Sequence, residues 1–500
     1  MPPRQIRFPW RAALLATAAL GAPSASAAAS DLPATPEGAQ KLSAFFETYA
    51  GKPAAGAPSS IVVTPESADY LVAVDIRALL APLKAAGTSY DAAVVKFKVT
   101  EQGDGDWRVE MSDFPTVTAH SKRGDVTADS TMVMYGFKSI LLIDPAISWV
   151  RSGQASGDKF NGRAHGPGID EAVIDTGPQQ ATMTSVAAPD GALSTQVQET
   201  VGAFALTMAV DPKALNPKSD AKPFNVDAKA DNFTVDAKLG GVKPRPLLDL
   251  LAFLEAHPTR PELAADEASF KTLLTAALAS QLSLDETIGM QKLTVQTPAG
   301  PVVVDSAKGG LGGAAAGSAS RFEYRFSVDG LTLPPGLVPA AFHDLVPTSF
   351  DIGFKVSGFD LTAAGAEAIA DMHLAGDAPP ISEEDNAKFW AKAIRAGPLV
   401  VDVPPSHIVA PQLDIAFEGQ VRYQSDKPTG TFTVHMRNFD KTMAALKGLG
   451  PEAEAKLIPF LAMAKGLANT EGDGALTWVG ELGADGMMRV NGLPLGKAPI

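Results

Sequence analysis

Two closely related phrases, FSVDGLTL from Phe326 and FKVSGFDL from Phe354, constrain this chain more than any other stretch. Each reads apolar-x-apolar-x-Gly-(Leu/Phe)-x-Leu. Strict alternation puts the first and third side chains on one face of a strand. Phe326, Val328, Phe354 and Val356 are therefore candidates for the apolar side of a single sheet. Gly330 and Gly358 hold the fifth position, where positive φ or a bulge lets the strand bend before the next large apolar residue re-enters the core. Related phrases begin at Val109 (VEMSDF), Met132 (MVMYGF), Ala228 (AKADNF), Val434 (VHMRNF) and Met488 (MRVNGL). Composition alone yields about two or three matches to so loose a pattern. Seven strand-like copies point to a reiterated β unit.

Composition agrees with that reading. The 500 residues are 45% hydrophobic and only 20% charged, with 45 glycines and 39 prolines. A turn-rich, weakly charged chain suits antiparallel sheet better than a helical bundle. The expected fold class is α+β: an extended, twisted antiparallel sheet of reiterated strands, with short helices packing on it or capping it. Residues 244–281 depart from strand grammar. Leu247, Leu250, Leu251 and Leu254 begin one helix, and Pro261 opens a second with Phe270, Leu274 and Leu278 at helical spacing. This helical hairpin is expected to separate an N-terminal β-rich half (28–243) from a C-terminal half (282–500) that ends in helices and a hairpin.

Thr35-Pro36-Glu37 reads as a helix start, and Ser382 as the cap of a helix whose first turn carries Glu383, Glu384 and Asp385. That acidic triplet complements the helix dipole rather than forming a carboxylate site. Further short helices are expected at 76–87, 337–345 and 362–372. Residues 103–106, Gly-Asp-Gly-Asp, make a hairpin turn without the spacing of a calcium loop. Residues 151–168 and the low-complexity run 309–320 read as exposed loops, and 487–495 as one strand.

Arg4, Arg7 and Arg11 precede an apolar run at 12–22 and the small-residue site Ala25-Ser26-Ala27. This is the pattern of a signal peptide over 1–27, cleaved near Ala27. The run is shorter than the roughly 20 residues of a membrane span, and no later stretch is a candidate for one. A soluble protein of the Gram-negative periplasm is expected. The absence of cysteine excludes disulfides, thiol catalysis and cysteine-ligated metals. The net charge is −14, and losing the three signal arginines makes it −17. Such a chain, with no basic run, is repelled by phosphate backbones, so no nucleic-acid partner is expected.

Catalytic motifs are scarce. Gly310, Gly312 and Ala315 fit G-x-G-x-x-A, but the dinucleotide mechanism needs a helix opening at once, and Gly317-Ser318-Ala319-Ser320 follows instead. The seven histidines are never closer than 28 residues apart, so no H-E-x-x-H or H-x-H pair exists and any metal site would need long-range assembly. No G-x-S-x-G elbow occurs. The expectation is a non-enzymatic protein without cofactor or metal.

The ending MMRVNGLPLGKAP (487–499), the helix–strand pattern of 451–482 and the phrase VSGFDL from Val356 resemble an uncharacterised Gram-negative periplasmic family catalogued as domain of unknown function 2125. The resemblance implies export but no activity and no site residue. The opening phrases are more loosely similar to AsmA-like envelope proteins, whose reiterated strands form curved sheets with an apolar trough for lipid; this chain lacks their usual membrane anchor. The leading expectation is binding of a lipid or other hydrophobic envelope component along a concave apolar sheet face. One alternative is a scaffold with a closed core that engages another envelope protein through a sheet edge. The third is a hydrolase with a dispersed triad.

Overall fold

The computed structural model describes residues 31–497, apart from 51–58, 80–87, 93, 124–125, 216–219, 221, 258, 279–281, 316, 318–319, 377, 396–397, 425–426 and 448–450. The segment 1–27, expected as a signal peptide, and most of the helix expected at 76–87 lie outside the described residues; Ile76–Leu79 is helical. Strand at 55% against helix at 24% makes this an α+β fold dominated by antiparallel sheet. No described helix is long and apolar enough to cross a membrane. The chain forms two compact units, the first of Met1–Val226, Phe233–Ser280 and His373–Ala378, the second of Asp227–Asn232, Gln281–Met372 and Pro379–Ile500.

The first unit begins with β1 (Ile61–Glu66), β2 (Asp69–Val74), β3 (Thr88–Ala92), β4 (Val95–Glu101) and β5 (Trp107–Met111). It continues through β6 (Val117–Arg123), β7 (Val126–Tyr135), β8 (Lys138–Asp144), β9 (Trp149–Gly157) and β10 (Lys159–Gly166). Then come β11 (Ile169–Thr176), β12 (Gln179–Ala187), β13 (Leu193–Val201) and β14 (Phe204–Val210), β15 (Phe224–Ala230), which runs into the second unit, and β16 (Asn232–Val242). Antiparallel pairing sorts all of them but β15 into two leaves. One runs β1-β2-β4-β5-β8-β9-β12-β13-β16. The other runs β3-β6-β7-β10-β11-β14.

The chain passes between the leaves through very short links. Asp158 alone joins β9 to β10, Gly177 and Pro178 join β11 to β12, and Gly202 and Ala203 join β13 to β14. Backbone bonding continues across these links: Asp158 N donates to Tyr135 O (2.8 Å), Gly177 N to Ala203 O (2.6 Å) and Gly202 N to Pro178 O (2.7 Å). The leaves are thus one sheet folded along a crease. Burial changes step there, falling on Gly153, Ala155 and Gly157 in β9 but on Gly162 in β10. One extra residue per crossing keeps the apolar side chains inside the bend, as a β-bulge does. Residues 151–168, expected as a loop, are therefore mainly strands β9 and β10. Their Gly and Ala are small because they lie on the inner face.

Helix Pro36–Ala50 starts where expected, with Gly38 N donating to Thr35 Oγ1 (3.0 Å). Its Ala39 and Leu42 join Tyr70, Val72, Val99 and Val109 in the core of the first leaf. Each large aliphatic side chain so buried contributes about 1.5–3 kcal/mol. The expected helical hairpin is three helices, Pro244–Ala256, Arg260–Ala265 and Glu267–Leu278, the second opened by a Thr259–Glu262 capping box. They belong to the first unit, together with the segment His373–Ala378, where the Leu374 amide donates to Glu267 (2.7 Å).

The second unit is an antiparallel meander. Its strands are β17 (Ser283–Thr297), β18 (Gly300–Ala314), β19 (Ser320–Asp329), β20 (Ser349–Phe359), β21 (Leu399–Ala410), β22 (Leu413–Gln424) and β23 (Lys427–Arg437). The short β24 (Asn469–Thr470) precedes β25 (Leu476–Leu482), β26 (Met487–Val490) and β27 (Leu493–Lys497). Each strand from β17 to β23 pairs with the next, and β25, β26 and β27 continue the ladder. Two expectations are corrected. Residues 309–314 extend β18 rather than opening a loop, because glycine on an inner face leaves room for the aromatics of β19. Residues 487–495 break into β26 and β27 at Asn491 and Gly492, both at positive φ (48° and 79°). A 3₁₀ turn, Ala340–Leu345, stands where a short helix was expected.

The reiterated phrase has a common conformation. Its fifth residue has positive φ in five copies: Gly136 (62°), Gly330 (67°), Gly358 (84°), Asn438 (60°) and Gly492 (79°). The chain turns there, and in the copy from Val434 the sixth residue, Phe439, is buried at 6% exposure.

Candidate apolar binding face

Alternation along the second unit's strands gives its sheet two chemically opposite faces. The apolar face is ordered in transverse rows, read directly from strand register. One row runs Ala307, Val328, Phe350, Ile408, Ile415, Met436, Leu476. It is the covered end: Leu331 packs near Val328, and Phe439, Met443 and Leu461 from the helices Phe439–Lys447 and Pro451–Leu467 pack near Met436 and Leu476.

Towards the other end of the strands the same face opens. One open row runs Gly313, Phe322, Val356, Val401, Val421, Gly430, Leu482, Met488. Beside it lie Leu311, Tyr324 and Phe354 on adjacent strands, then Gly419 and Phe432. Phe322 and Phe354 are each 39% exposed, and Tyr324 and Phe432 each 41%, against 8% for Val328. Their rings associate, at 5.7 Å for Phe322–Phe354 and 6.0 Å for Tyr324–Phe354. A Cβ on Gly419 would come 2.4 Å from the Phe432 ring, so glycine is what lets that ring lie down on the sheet. The result is an aromatic and aliphatic floor of low relief.

The opposite face is ionic. Arg325 grips Asp351 with two hydrogen bonds of 2.7 Å, and Arg321 does the same to Asp285 at 2.7 and 2.9 Å. The Arg325 hydrogen bonds hold the Asp351 carboxyl below its ordinary value. These pairs fix which face of β19 and β20 meets water, since a slip of one residue would exchange the two sets.

The four residues singled out from sequence share the apolar face but divide between its zones. Val328 and the half-buried Phe326 belong with the covered cluster, whereas Phe354 and Val356 lie on the open part. Gly330 and Gly358, at the fifth position of the two phrases, have positive φ. Phe322 and Tyr324 escaped the motif because they precede it, although the same alternation extended backwards reaches both. Leu311 was concealed by its glycine neighbours.

Gly310 and Gly312, from the dinucleotide-like motif, lie within β18, paired on both sides, with no helix N-terminus following. Of the histidines, His435 meets Thr477 Oγ1 (3.0 Å) and Glu471 Oε1 (3.1 Å), both through Nδ1. A catalytic triad uses the two ring nitrogens for different partners, so this trio is not one. No cluster of three metal-ligating side chains occurs among the described residues. The chain matches no family model, no characterised protein and no solved structure.

Proposed function

We propose that this protein is a non-enzymatic component of the Gram-negative periplasm that binds a lipid or acylated chain along the apolar face of its second unit. The observation that carries the reading is the open band from Leu311 and Phe322 to Phe432, an uncovered row of large apolar side chains opposite an ionic face. Contiguous exposed apolar surface of this kind marks a binding site. A flat floor without convergent polar groups suits a ligand recognised by length rather than by its head. The proposed kinship with domain of unknown function 2125 supplies no activity and adds nothing to this choice.

The test is native purification from an envelope fraction followed by lipid mass spectrometry, with binding of fatty acids of increasing length. Each methylene laid on the face adds at most about 0.8 kcal/mol, so affinity should climb steadily with chain length. Phe354→Asp should flatten that climb without unfolding the protein, because the side chain is already 39% exposed. Lipid-free native protein with no chain-length dependence would rule the reading out. A second reading, an envelope scaffold, rests on β27. Among the described residues it pairs only with β26, and its Leu493 and Leu495 are 52% and 54% exposed. Such an edge accepts an added strand from a partner protein.

A further inference from the structure

We propose that His120 and His165 bind a divalent first-row transition ion between them on the outer face of the first unit. The two are far apart in sequence, yet Asp129 of β7 pairs directly with His120 of β6 on one side and with His165 of β10 on the other. Alternation buries Val117 and Ala119 of β6 and turns His120 to the opposite face, where its side chain is 51% exposed and that of Asp129 53%. Neighbouring strands stand about 4.8 Å apart, so the two histidine backbones are about 10 Å from each other. Two imidazoles leaning over the short Asp129 side chain span that distance through a single ion, bonded to each nitrogen at about 2 Å.

Each ring is already committed at Nδ1. His120 Nδ1 meets Asp129 Oδ1 at 2.7 Å, and His165 Nδ1 meets the Asp170 carbonyl oxygen at 2.5 Å. A carboxylate and a carbonyl oxygen only accept, so both Nδ1 atoms donate, and in the neutral rings Nε2 carries the lone pair. Metal-bound histidines are held in this way: a carboxylate or backbone carbonyl behind the ring fixes the tautomer and raises the basicity of the ligating nitrogen. Asp129 also brings a negative charge close to the ion. With Asp129 held by His120, the protein supplies two ligands and water the rest, in keeping with the absence of a three-ligand cluster among the described residues. Lys122 and Arg163 lie one row off, on opposite sides of the pair. They disfavour a hard cation held by charge alone, whereas an ion bonded through imidazole nitrogen tolerates them. The site does not rest on the lipid reading of the second unit.

The experiment titrates the chain, without an added histidine tag, with Cu²⁺ and Ni²⁺ at about pH 7.5, where free imidazole is unprotonated. One ion per chain should bind, Cu²⁺ more tightly than Ni²⁺, and excess Ca²⁺ should displace neither. Electron paramagnetic resonance of the Cu²⁺ form should show two imidazole nitrogens. His120→Gln and His165→Gln should each weaken Cu²⁺ binding by at least about tenfold, leave one nitrogen in the spectrum and keep the circular-dichroism melt intact. Asp129→Ala should weaken binding by about tenfold with both nitrogens retained. An unchanged affinity in any of the three variants overturns the proposal, and so does displacement by Ca²⁺. His407 and His435 flank Ala416 in the same way on the second unit, so loss of binding in His435→Gln would move the site there and overturn the proposal equally.

Discussion

Gly358 refuses a side chain for two separate reasons. Its φ of 84° lies in the left-handed region, and a Cβ would come 2.1 Å from the Pro398 carbonyl oxygen. Strain of the first kind costs on the order of 1–3 kcal/mol, and the second contact is with backbone, which does not swing away. Gly358→Val should therefore lower the denaturant midpoint clearly, and an unchanged midpoint would refute the assignment. Glu199 and Asp351 make opposite pH statements. Burial raises the Glu199 carboxyl, so its contribution to stability is complete below the unfolded glutamate value of about 4.3 and is lost as pH rises through the raised folded value. Glu199→Gln should thus be more stable than the parent at neutral pH and level with it near about pH 4, measured by denaturant midpoints across pH. Asp351, lowered by Arg325, contributes above the ordinary aspartate value and loses that contribution as pH falls through its lowered one. Because Arg325 is 47% exposed, Arg325→Ala should cost no more than about 1 kcal/mol.

At the scale of the element, the neighbouring strands β19 and β20 of the second unit have a different fate at each end. Val328 is 8% exposed under the covering cluster, while Phe354 on the neighbouring strand is 39% exposed. An unpaired carboxylate at the first position has no water to reach and is very costly. Val328→Asp should abolish the cooperative thermal transition, and Phe354→Asp should leave it within a few degrees; the same loss for both would mean that the open band is a core. Strand grammar was legible wherever large apolar residues alternated with polar ones, as in β19, β20 and β22. It failed at 151–168 and 309–314 for one physical reason. Glycine and alanine there sit within paired strands beside larger side chains of the neighbouring strands, and by composition they are indistinguishable from loop. It failed differently at 487–495, where Asn491 at positive φ splits one apparent strand into two. Of the site, the shared face of Phe326, Val328, Phe354 and Val356 followed from period alone. Which of them is covered did not, because cover comes from helices and turns distant in sequence. Glu199 carried no local signal, since an isolated acid in a strand reads as a wet-face residue until its neighbours across the sheet are known.

On the scale of the whole molecule, apolar exposure and net charge pull in opposite directions. The chain, at −14, repels its own copies, yet only 20% of all residues are charged, and the open band concentrates Phe322, Tyr324, Phe354 and Phe432 on the apolar face. The repulsion is screened within about 8 Å at physiological salt, whereas the attraction between apolar surfaces is not weakened by salt. Lipid-free protein should therefore self-associate, and do so more as salt is raised. Light scattering after size exclusion would show this as a mass above the monomer that returns to the monomer when a long-chain fatty acid is added. The double variant Phe354→Asp with Phe432→Asp should stay monomeric throughout, because two charges interrupt the band without touching the covered row. Association of that variant equal to the parent would place the sticky surface elsewhere, with the exposed Phe460 and Met463 of the helix Pro451–Leu467, at 62% and 60%, the next surface to substitute.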